Sequence, residues 1–199
     1  MSEKATSVWE RSRRMAAREI FDTAIRLFTT QGYEETTVAQ IAREAGVSQR
    51  TLFRYFGTKE DLVCGDQDAL GELLRKTVEE QPPEVSAWDA LRAGFTVLLT
   101  ANHPIEETLV LSRLIFTTPA LTARYTEKRL RWKADLIPVV RARLGAHGRT
   151  GPAADHAART IIAVCFACVD AASESWVASG GEADPAALYD ASLALIHTP

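Results

Sequence analysis

Five polar side chains close together in the chain have the chemistry needed to read a nucleic-acid duplex: Gln49, Arg50, Thr51, Arg54 and Tyr55. Glutamine can form two hydrogen bonds with an adenine edge, and arginine can form two with a guanine edge. Threonine and tyrosine hydroxyls suit phosphate oxygens, which fix register but carry no sequence information. The set therefore combines groups that specify bases with groups that position a protein on a backbone.

Two short helices joined by a tight turn are predicted to position these side chains. Apolar residues recur with helical spacing at Val38, Ile41, Ala42 and Ala45, and then at Leu52, Phe53 and Phe56. Gly46 can adopt the left-handed conformation that ends the first helix, and Ser48 is a favoured N-cap of the second. Thr37 and Gln40 have the spacing of a capping box. The pattern predicts a helix-turn-helix, in which the N-terminal residues of the second helix point at base edges.

A plain solvated face on a small amphipathic helix is the alternative interpretation of these polar residues. No acidic residue occurs from Ala45 to Thr58, however, which suits a helix that approaches phosphates. Capping, turn, charge gap and aromatic anchors all agree, and this agreement favours DNA recognition.

The segment GVSQRTLFRYFGTKEDL, preceded by TTVAQIAREA and FTTQGYEETT, resembles the DNA-binding domain of TetR-family transcriptional regulators. The resemblance covers about the first third of the chain. It implies base contacts from Gln49, Arg50 and Phe53, although Phe53 could instead belong to the core. With the phosphate contacts that it also implies, the predicted DNA-binding residues are Thr37, Ser48, Gln49, Arg50, Thr51, Phe53, Arg54, Tyr55 and Lys59.

Composition restricts the partners and the compartment. The 199 residues carry a net charge of −3, so affinity for DNA must come from a local basic surface, which the cluster Arg11, Arg13, Arg14 and Arg18 could supply. Three cysteines without framework spacing suit a reducing compartment. The N-terminus has no apolar signal region, and the longest apolar run, Ile161 to Val169, is far short of a membrane span. A cytoplasmic protein is expected.

An all-α fold of about nine helices is predicted, because strand alternation is absent. Residues 1–57 would form a three-helix DNA-binding domain after a loose polar arm, and residues 58–199 would form a ligand-binding and dimerisation domain. A fourth helix would run from Thr58, its N-cap, to about Gln81, where Pro82 and Pro83 stop it.

The two last helices are predicted to form a homodimer interface. The helix from about Pro152 to Gly180 is apolar on almost every side, and a helix of this kind must be buried on both sides. Pairing with the last helix and with a second copy would give a four-helix bundle. TetR-family members dimerise in this way, and a twofold protein matches a palindromic operator. The interface would include Ile161, Cys165, Cys168, Val169 and Leu193.

Large side chains between residues 88 and 176 are candidates for an effector pocket, although large apolar residues at helical spacing are more often plain core. The candidates are Trp88, Phe95, Leu98, Leu109, Arg113, Phe116, Trp132 and Trp176. Arg113 stands in an otherwise apolar helix and is expected to be buried, so it needs a partner, which would be a ligand anion or an internal acid such as Glu106, Glu174 or Asp170. Gly94 makes room either for a ligand or for a neighbouring helix.

The segment SRLIFTTPALTARYTEKRLRWKADLIPVVRARLG resembles the C-terminal domain of the TetR branch that includes regulators of mycofactocin gene clusters and relatives that bind acyl-coenzyme A-like ligands. The resemblance implies an apolar tunnel for an acyl chain and a basic mouth for the phosphates of coenzyme A. A run of charges is usually a solvated face, and this is the main interpretation of the basic residues in this segment.

No cofactor, metal site or catalytic group is predicted. His103, His147, His156 and His197 have no ligand spacing, and the Cys165–Cys168 pair would need further ligands. Nothing resembles a nucleophile with a positioned base. The sequence therefore predicts a homodimeric, ligand-responsive DNA-binding repressor. The alternatives are an all-helical ligand-binding or interaction protein with no role on DNA and, third, a small all-α enzyme.

Overall fold

The computed structural model describes residues 8–65, 67–100 and 105–196. The described residues form ten α-helices and no strand, which confirms the all-α prediction: α1 (Val8–Gln31), α2 (Val38–Glu44), α3 (Gln49–Phe56), α4 (Asp61–Cys64), α5 (Gln67–Glu79), α6 (Ala87–Leu99), α7 (Ile105–Thr117), α8 (Pro119–Ala146), α9 (Gly151–Ala178) and α10 (Pro185–Ile196). The predicted N-terminal arm, His103 and His197 lie outside the described residues, as do the side chains of Arg11 and Arg14.

The chain divides into two compact units, Met1–Gly65 and Asp66–Pro199. The fourth helix predicted from Thr58 to Gln81 is two helices, α4 and α5, and this accounts for ten helices where about nine were predicted. Gly65, whose φ is +66°, ends α4 in the left-handed region that glycine tolerates. The predicted domain boundary after residue 57 falls just before α4, whereas α4 is part of the first unit.

The first unit has a small core built from all four of its helices. Ile20, Leu27 and Phe28 of α1 are buried together with Ile41 of α2 and Leu52 of α3. Leu62, Val63 and Cys64 of α4 add to this core, and the Tyr33 ring lies 5.0 Å from the Phe28 ring. Burial of one face of α1 against the motif helices completes the core and fixes the orientation of α3.

The second unit is organised around α9. Its buried stripe packs with α6, α8 and α10, and at the centre three rings meet edge to face: the Phe95 centroid lies 5.0 Å from that of Phe166 and 5.7 Å from that of Tyr189. By length and composition alone α9 could cross a membrane. In this fold it is a core helix, because Ile162, Cys165 and Phe166 are almost fully buried within the chain.

Two glycines allow α5 to pack closely against both of its neighbours. A Cβ atom on Gly94 of α6 would lie 2.7 Å from Leu74 Cδ1 and 2.9 Å from Val78 Cγ2. A Cβ atom on Gly71 of α5 would lie 2.4 Å from Nε1 of Trp132 on α8. Of the two interpretations of Gly94, close packing of a neighbouring helix is therefore the one observed, and α5 is held between α6 and α8.

Candidate nucleic-acid interface

The turn between α2 and α3 has the cap geometry that the sequence predicted. The Ser48 Oγ atom accepts a hydrogen bond from the Thr51 backbone N–H at 3.1 Å, and Gly46 has a φ of +67°. Thr37 Oγ1 likewise accepts from the Gln40 N–H at 3.1 Å. The reciprocal half of the predicted capping box is absent, because the Gln40 amide instead exchanges hydrogen bonds of 2.9 and 3.1 Å with the Gln31 amide.

The recognition helix α3 is buried on one side and open on the other. Leu52 is fully buried, whereas Gln49, Arg50 and Arg54 are exposed. Phe53 is 44% exposed and lies on the same open side, so it belongs to the surface and not to the core. The candidate base-contacting side chains therefore share one accessible face, as a helix in a major groove requires.

Tyr55 is the centre of a cationic cluster in the first unit. The guanidinium carbon of Arg13 on α1 lies 6.0 Å from the Tyr55 ring centroid, and that of Arg54 lies 5.5 Å away. These distances allow cation–π attraction, which favours positions of both arginines near the Tyr55 ring. Arg13 was suggested only by the arginine cluster in the sequence, and its proximity to Tyr55 depends on the packing of α1 against α3.

Lys59 is engaged within the first unit. Its Nζ donates to the backbone carbonyl of Tyr33 at 2.6 Å and lies 3.9 Å from the Tyr33 ring centroid. Burial lowers the pKa of Lys59 below its ordinary value, against the nearby carboxylates of Glu34 and Glu60. The Tyr33 hydroxyl in turn donates to Glu60 at 3.0 Å. A lysine ammonium has three donors, so Lys59 can bind a phosphate oxygen while it also binds the Tyr33 carbonyl. Contact between Lys59 and a phosphate therefore stays a prediction.

An ion pair ties the first motif helix to α1. Arg26 donates to the Glu44 carboxylate at 2.7 Å, and hydrogen bonds from Arg26 and Gln40 hold the pKa of Glu44 below its usual range. The Gln31–Gln40 amide pair joins the same two helices nearer to the start of α2. These contacts fix α2 against α1 within the first unit.

Four of the side chains predicted for an effector pocket, Trp88, Phe95, Leu98 and Trp132, belong to one core cluster of the second unit, and a pocket among them stays a prediction. Phe95, Trp132 and Trp176 are buried in the second unit, with Trp132 packed on Gly71, and Leu98, Leu109 and Phe116 are half-buried. Trp88 alone among the eight lines an open groove of about 610 Å³ between α6 and α10, together with Ser86, Asp89, Arg92, Asp190, Leu193 and Ala194. Arg92 and Asp190 close one side of this groove with hydrogen bonds of 2.5 and 2.6 Å.

Arg113 is exposed, so the premise that it is buried was wrong. It therefore needs neither a ligand anion nor an internal acid as a partner. One of the three acids that the sequence offered for it, Asp170, pairs with Arg129 of α8. A single charge in an apolar helix can lie on the solvent side of that helix as readily as in a buried ion pair. Arg113 lies on the solvent side.

The basic helix α8 is not simply a solvated face. Lys128, Arg129 and Arg143 are 5–9% exposed. Lys128 Nζ lies 3.3 Å from each carboxylate oxygen of Asp68 on α5, and Arg143 donates to backbone carbonyls at the end of α5. With Trp132 they form a stripe at helical spacing, which was the signal in the sequence that could have identified them.

The residues predicted for the dimer interface lie inside the chain's own core. Ile161, Cys165, Cys168, Val169 and Leu193 are each 0–9% exposed. Burial raises the pKa of the Cys165 thiol to about 12, as expected for a structural cysteine. Among the described residues, no group of three or more His, Cys, Asp or Glu could hold a metal ion. The open side of α9 carries small side chains instead, at Ala163, Ala167 and Ala171.

The two units match two family models. The model of bacterial regulatory proteins of the tetR family matches residues 20–64, and the model of the MftR C-terminal domain matches residues 85–199. The chain is 29% identical over 174 residues to the transcriptional regulator TcmR of Streptomyces glaucescens, covering 84% of this chain and 75% of that protein. It is also 29% identical over 170 residues to MftR of Mycobacterium tuberculosis, which is named for mycofactocin biosynthesis, covering 84% and 82%.

A solved structure shares the fold. The crystal structure of FadR from Bacillus subtilis in complex with stearoyl-CoA superposes with a TM-score of 0.58 at 21% identity, covering 90% of this chain and 96% of that one. The matching relatives are transcriptional regulators, and the alternatives of an enzyme or of a helical protein with no role on DNA are set aside. Residues 85–199 alone make up more than half of the chain. The chain therefore belongs to the TetR family of DNA-binding transcriptional regulators, with a C-terminal domain of the MftR type.

Proposed function

We propose that this protein is a homodimeric repressor that binds a palindromic operator and is released by an acyl-coenzyme A. The observation that carries the DNA side of the proposal is the common exposed face of α3, where Gln49, Arg50 and Phe53 lie on the opposite side from the buried Leu52. Each α3 of the dimer would enter a major groove, and the Tyr55 cluster would contact the adjacent phosphates.

The MftR-type C-terminal domain supports the effector side, as does the fold shared with a FadR that was crystallised with stearoyl-CoA. The cytoplasm is the compartment in which such a regulator would meet both operator and acyl-coenzyme A. The effector would shift α5, which follows the first unit in the chain, and so change the separation of the two recognition helices. It can act only through a difference in affinity between the two states.

Operator binding with and without palmitoyl-CoA tests this function. Fluorescence anisotropy on the protein's own upstream promoter fragment is expected to show tight, salt-sensitive binding. Saturating palmitoyl-CoA should weaken that binding by about 5–150-fold, the usual range of allosteric coupling. Palmitate and coenzyme A given separately are the matched controls. Unchanged operator affinity with palmitoyl-CoA would reject the effector and leave the DNA-binding role standing.

Arg50→Ala should cost about 1–3 kcal/mol of operator affinity and relax the preference at one base position, because it removes a bidentate contact to a base edge. Arg54→Ala is the matched comparison from the same helix. If Arg54 contacts phosphate, its loss should weaken binding alike on operator and random DNA and lower the salt slope by about 1. Binding should be measured on the operator, on single-base variants and on random duplex. An equal loss for Arg50→Ala on every duplex would show that Arg50 does not read a base.

A further inference from the structure

A buried guanidinium is paired with a partly open carboxylate where α8 packs on α9. The side chain of Arg129 is 7% exposed, and it donates to the Tyr125 hydroxyl at 2.8 Å, to the Phe166 carbonyl at 3.2 Å and to the Asp170 carboxylate. The side chain of Asp170, by contrast, is 45% exposed. The carboxylate is thus partly exposed to solvent, and the guanidinium with which it pairs is buried.

A second cation accompanies this pair. The Lys133 ammonium lies 5.1 Å from the centroid of the Phe166 ring, and the Arg129 guanidinium carbon lies 4.7 Å from the same centroid. Both cations act electrostatically on Asp170. Arg129 and Lys133 thus act on one carboxylate, which leaves an excess of positive charge beside a partly exposed side chain. Such a site attracts an anion that carries more charge than a single carboxylate.

Burial of the Asp170 side chain opposes its charged form. Burial raises the pKa of Asp170 above its ordinary value, and the two cations only partly oppose that effect. The carboxylate is therefore partly desolvated, while the guanidinium, which is buried more deeply, needs acceptors for its N–H groups. An exchange of one anion for another would keep Arg129 paired throughout and return Asp170 to water.

We propose that Arg129 is the anion-binding residue for the effector, and that Asp170 occupies its place until a phosphate or carboxylate group of the effector displaces it. This rests on the proposed function, since it assigns the anionic end of that effector. A neutral apolar molecule cannot displace Asp170, so the exchange makes the response depend on charge. The preceding residue, Lys128, pairs with Asp68, and Trp132 packs on Gly71, so a shift of α8 is passed directly to α5.

Asp170→Asn tests the exchange, with Asp135→Asn as the matched control on an exposed carboxylate of α8. Calorimetric titrations of the full-length protein would use palmitoyl-CoA, coenzyme A, palmitate and inorganic phosphate. The asparagine amide keeps the shape of the side chain but no longer competes as an anion. Asp170→Asn is therefore expected to bind its anionic ligand about tenfold more tightly than the wild type, and Asp135→Asn is expected to bind it equally.

The four probes identify the source of the anion. Tighter binding of palmitoyl-CoA and coenzyme A assigns the phosphates, and tighter binding of palmitate alone assigns a carboxylate and rejects the proposed acyl-coenzyme A effector while Arg129 keeps its role. Arg129→Lys should weaken the same ligand by about tenfold or more, because lysine lacks the planar fork. If Asp170→Asn binds none of the four probes more tightly than the wild type, the exchange is overturned, even where palmitoyl-CoA binds and releases the operator.

Discussion

Replacing Arg143 with methionine is expected to lower the free energy of unfolding of the second unit by about 3 kcal/mol, since several charge-assisted hydrogen bonds are lost together. Arg143 is 9% exposed and donates to four backbone carbonyls: those of Val78 at 3.0 Å, Gln81 at 2.8 Å, Pro82 at 2.6 Å and Val85 at 2.9 Å. Methionine fills a similar volume but offers no donor, so the loss isolates the hydrogen bonds from the packing.

The sequence that follows α5 explains why an arginine is needed there. The last carbonyls of a helix have no partner within the helix, and a following glycine turn usually supplies the missing N–H groups. Here Pro82 and Pro83 follow, and proline has no N–H to donate. The Arg143 guanidinium, from α8, donates to the Val78 carbonyl in the last turn of α5 and to three carbonyls of the segment that follows, and its charge also complements the negative end of the α5 helix dipole.

Urea unfolding followed by tryptophan fluorescence would measure the loss, because three of the four tryptophans, Trp88, Trp132 and Trp176, are in the second unit. Arg141→Met is the control, since Arg141 is exposed and lies 3.9 Å from its partner Asp155. Exposed pairs of this kind contribute at most about 1 kcal/mol. Similar losses for Arg141→Met and Arg143→Met would mean that water satisfies the α5 carbonyls without the guanidinium.

Arg143 also marks the limit of what the sequence could predict. The end of α5 was predicted almost to the residue, because a pair of prolines acts locally on the chain. The start of α3 was predicted for the same reason, from Ser48 and the glycine before it. The donors for the α5 carbonyls come from a residue about sixty positions later. No local sequence pattern predicts a hydrogen-bond partner so far away in the chain.

The cationic residues of α8 show the same limit from another side. Their charges favoured a solvated face, yet Lys128, Arg129 and Arg143 are buried. Lys128 pairs with Asp68 and Arg129 pairs with Asp170, whereas Arg143 donates to backbone carbonyls at and after the end of α5. Arg113 shows the converse: it was taken as buried because its neighbours in the chain are apolar, and it is exposed. Burial of a charge is decided by tertiary partners, which composition does not reveal.

The sequence of α9 indicates which side of the helix faces the core, but the indication is in side-chain volume and not in the spacing of apolar residues. Both sides of the helix are apolar, so the pattern predicted two buried sides without saying which one faces the chain's own core. Side-chain volume separates them. The larger residues Ile162, Phe166 and Val169 fill the core, whereas the opposite side carries Ala163, Ala167 and Ala171. Small residues allow two helices to approach closely, and this supports the alanine side as the one that meets a second copy.

Ala167→Glu is therefore expected to split the dimer into monomers and to weaken operator binding by about 100-fold or more. Ala167 is exposed in the single chain, so the charge is tolerated there in a monomer, but at a twofold contact it would face its own copy. Loss of the second recognition helix removes the gain from simultaneous engagement of two half-sites, which is about 100–10,000-fold in bivalent binding. Sedimentation equilibrium gives the mass, and anisotropy on the operator gives the affinity.

Two further substitutions separate loss of the dimer from loss of the fold. Ala134→Glu places the same charge on an exposed alanine of α8 and should leave both mass and affinity unchanged. Cys165→Asp introduces a charge at a position that is 0% exposed, and it should unfold the second unit because a buried unpaired carboxylate is costly. The opposite result is that Ala167→Glu remains dimeric while Cys165→Asp gives a folded monomer. That result would place the interface on the Cys165 side of α9 and would contradict the packing of this side around Phe166.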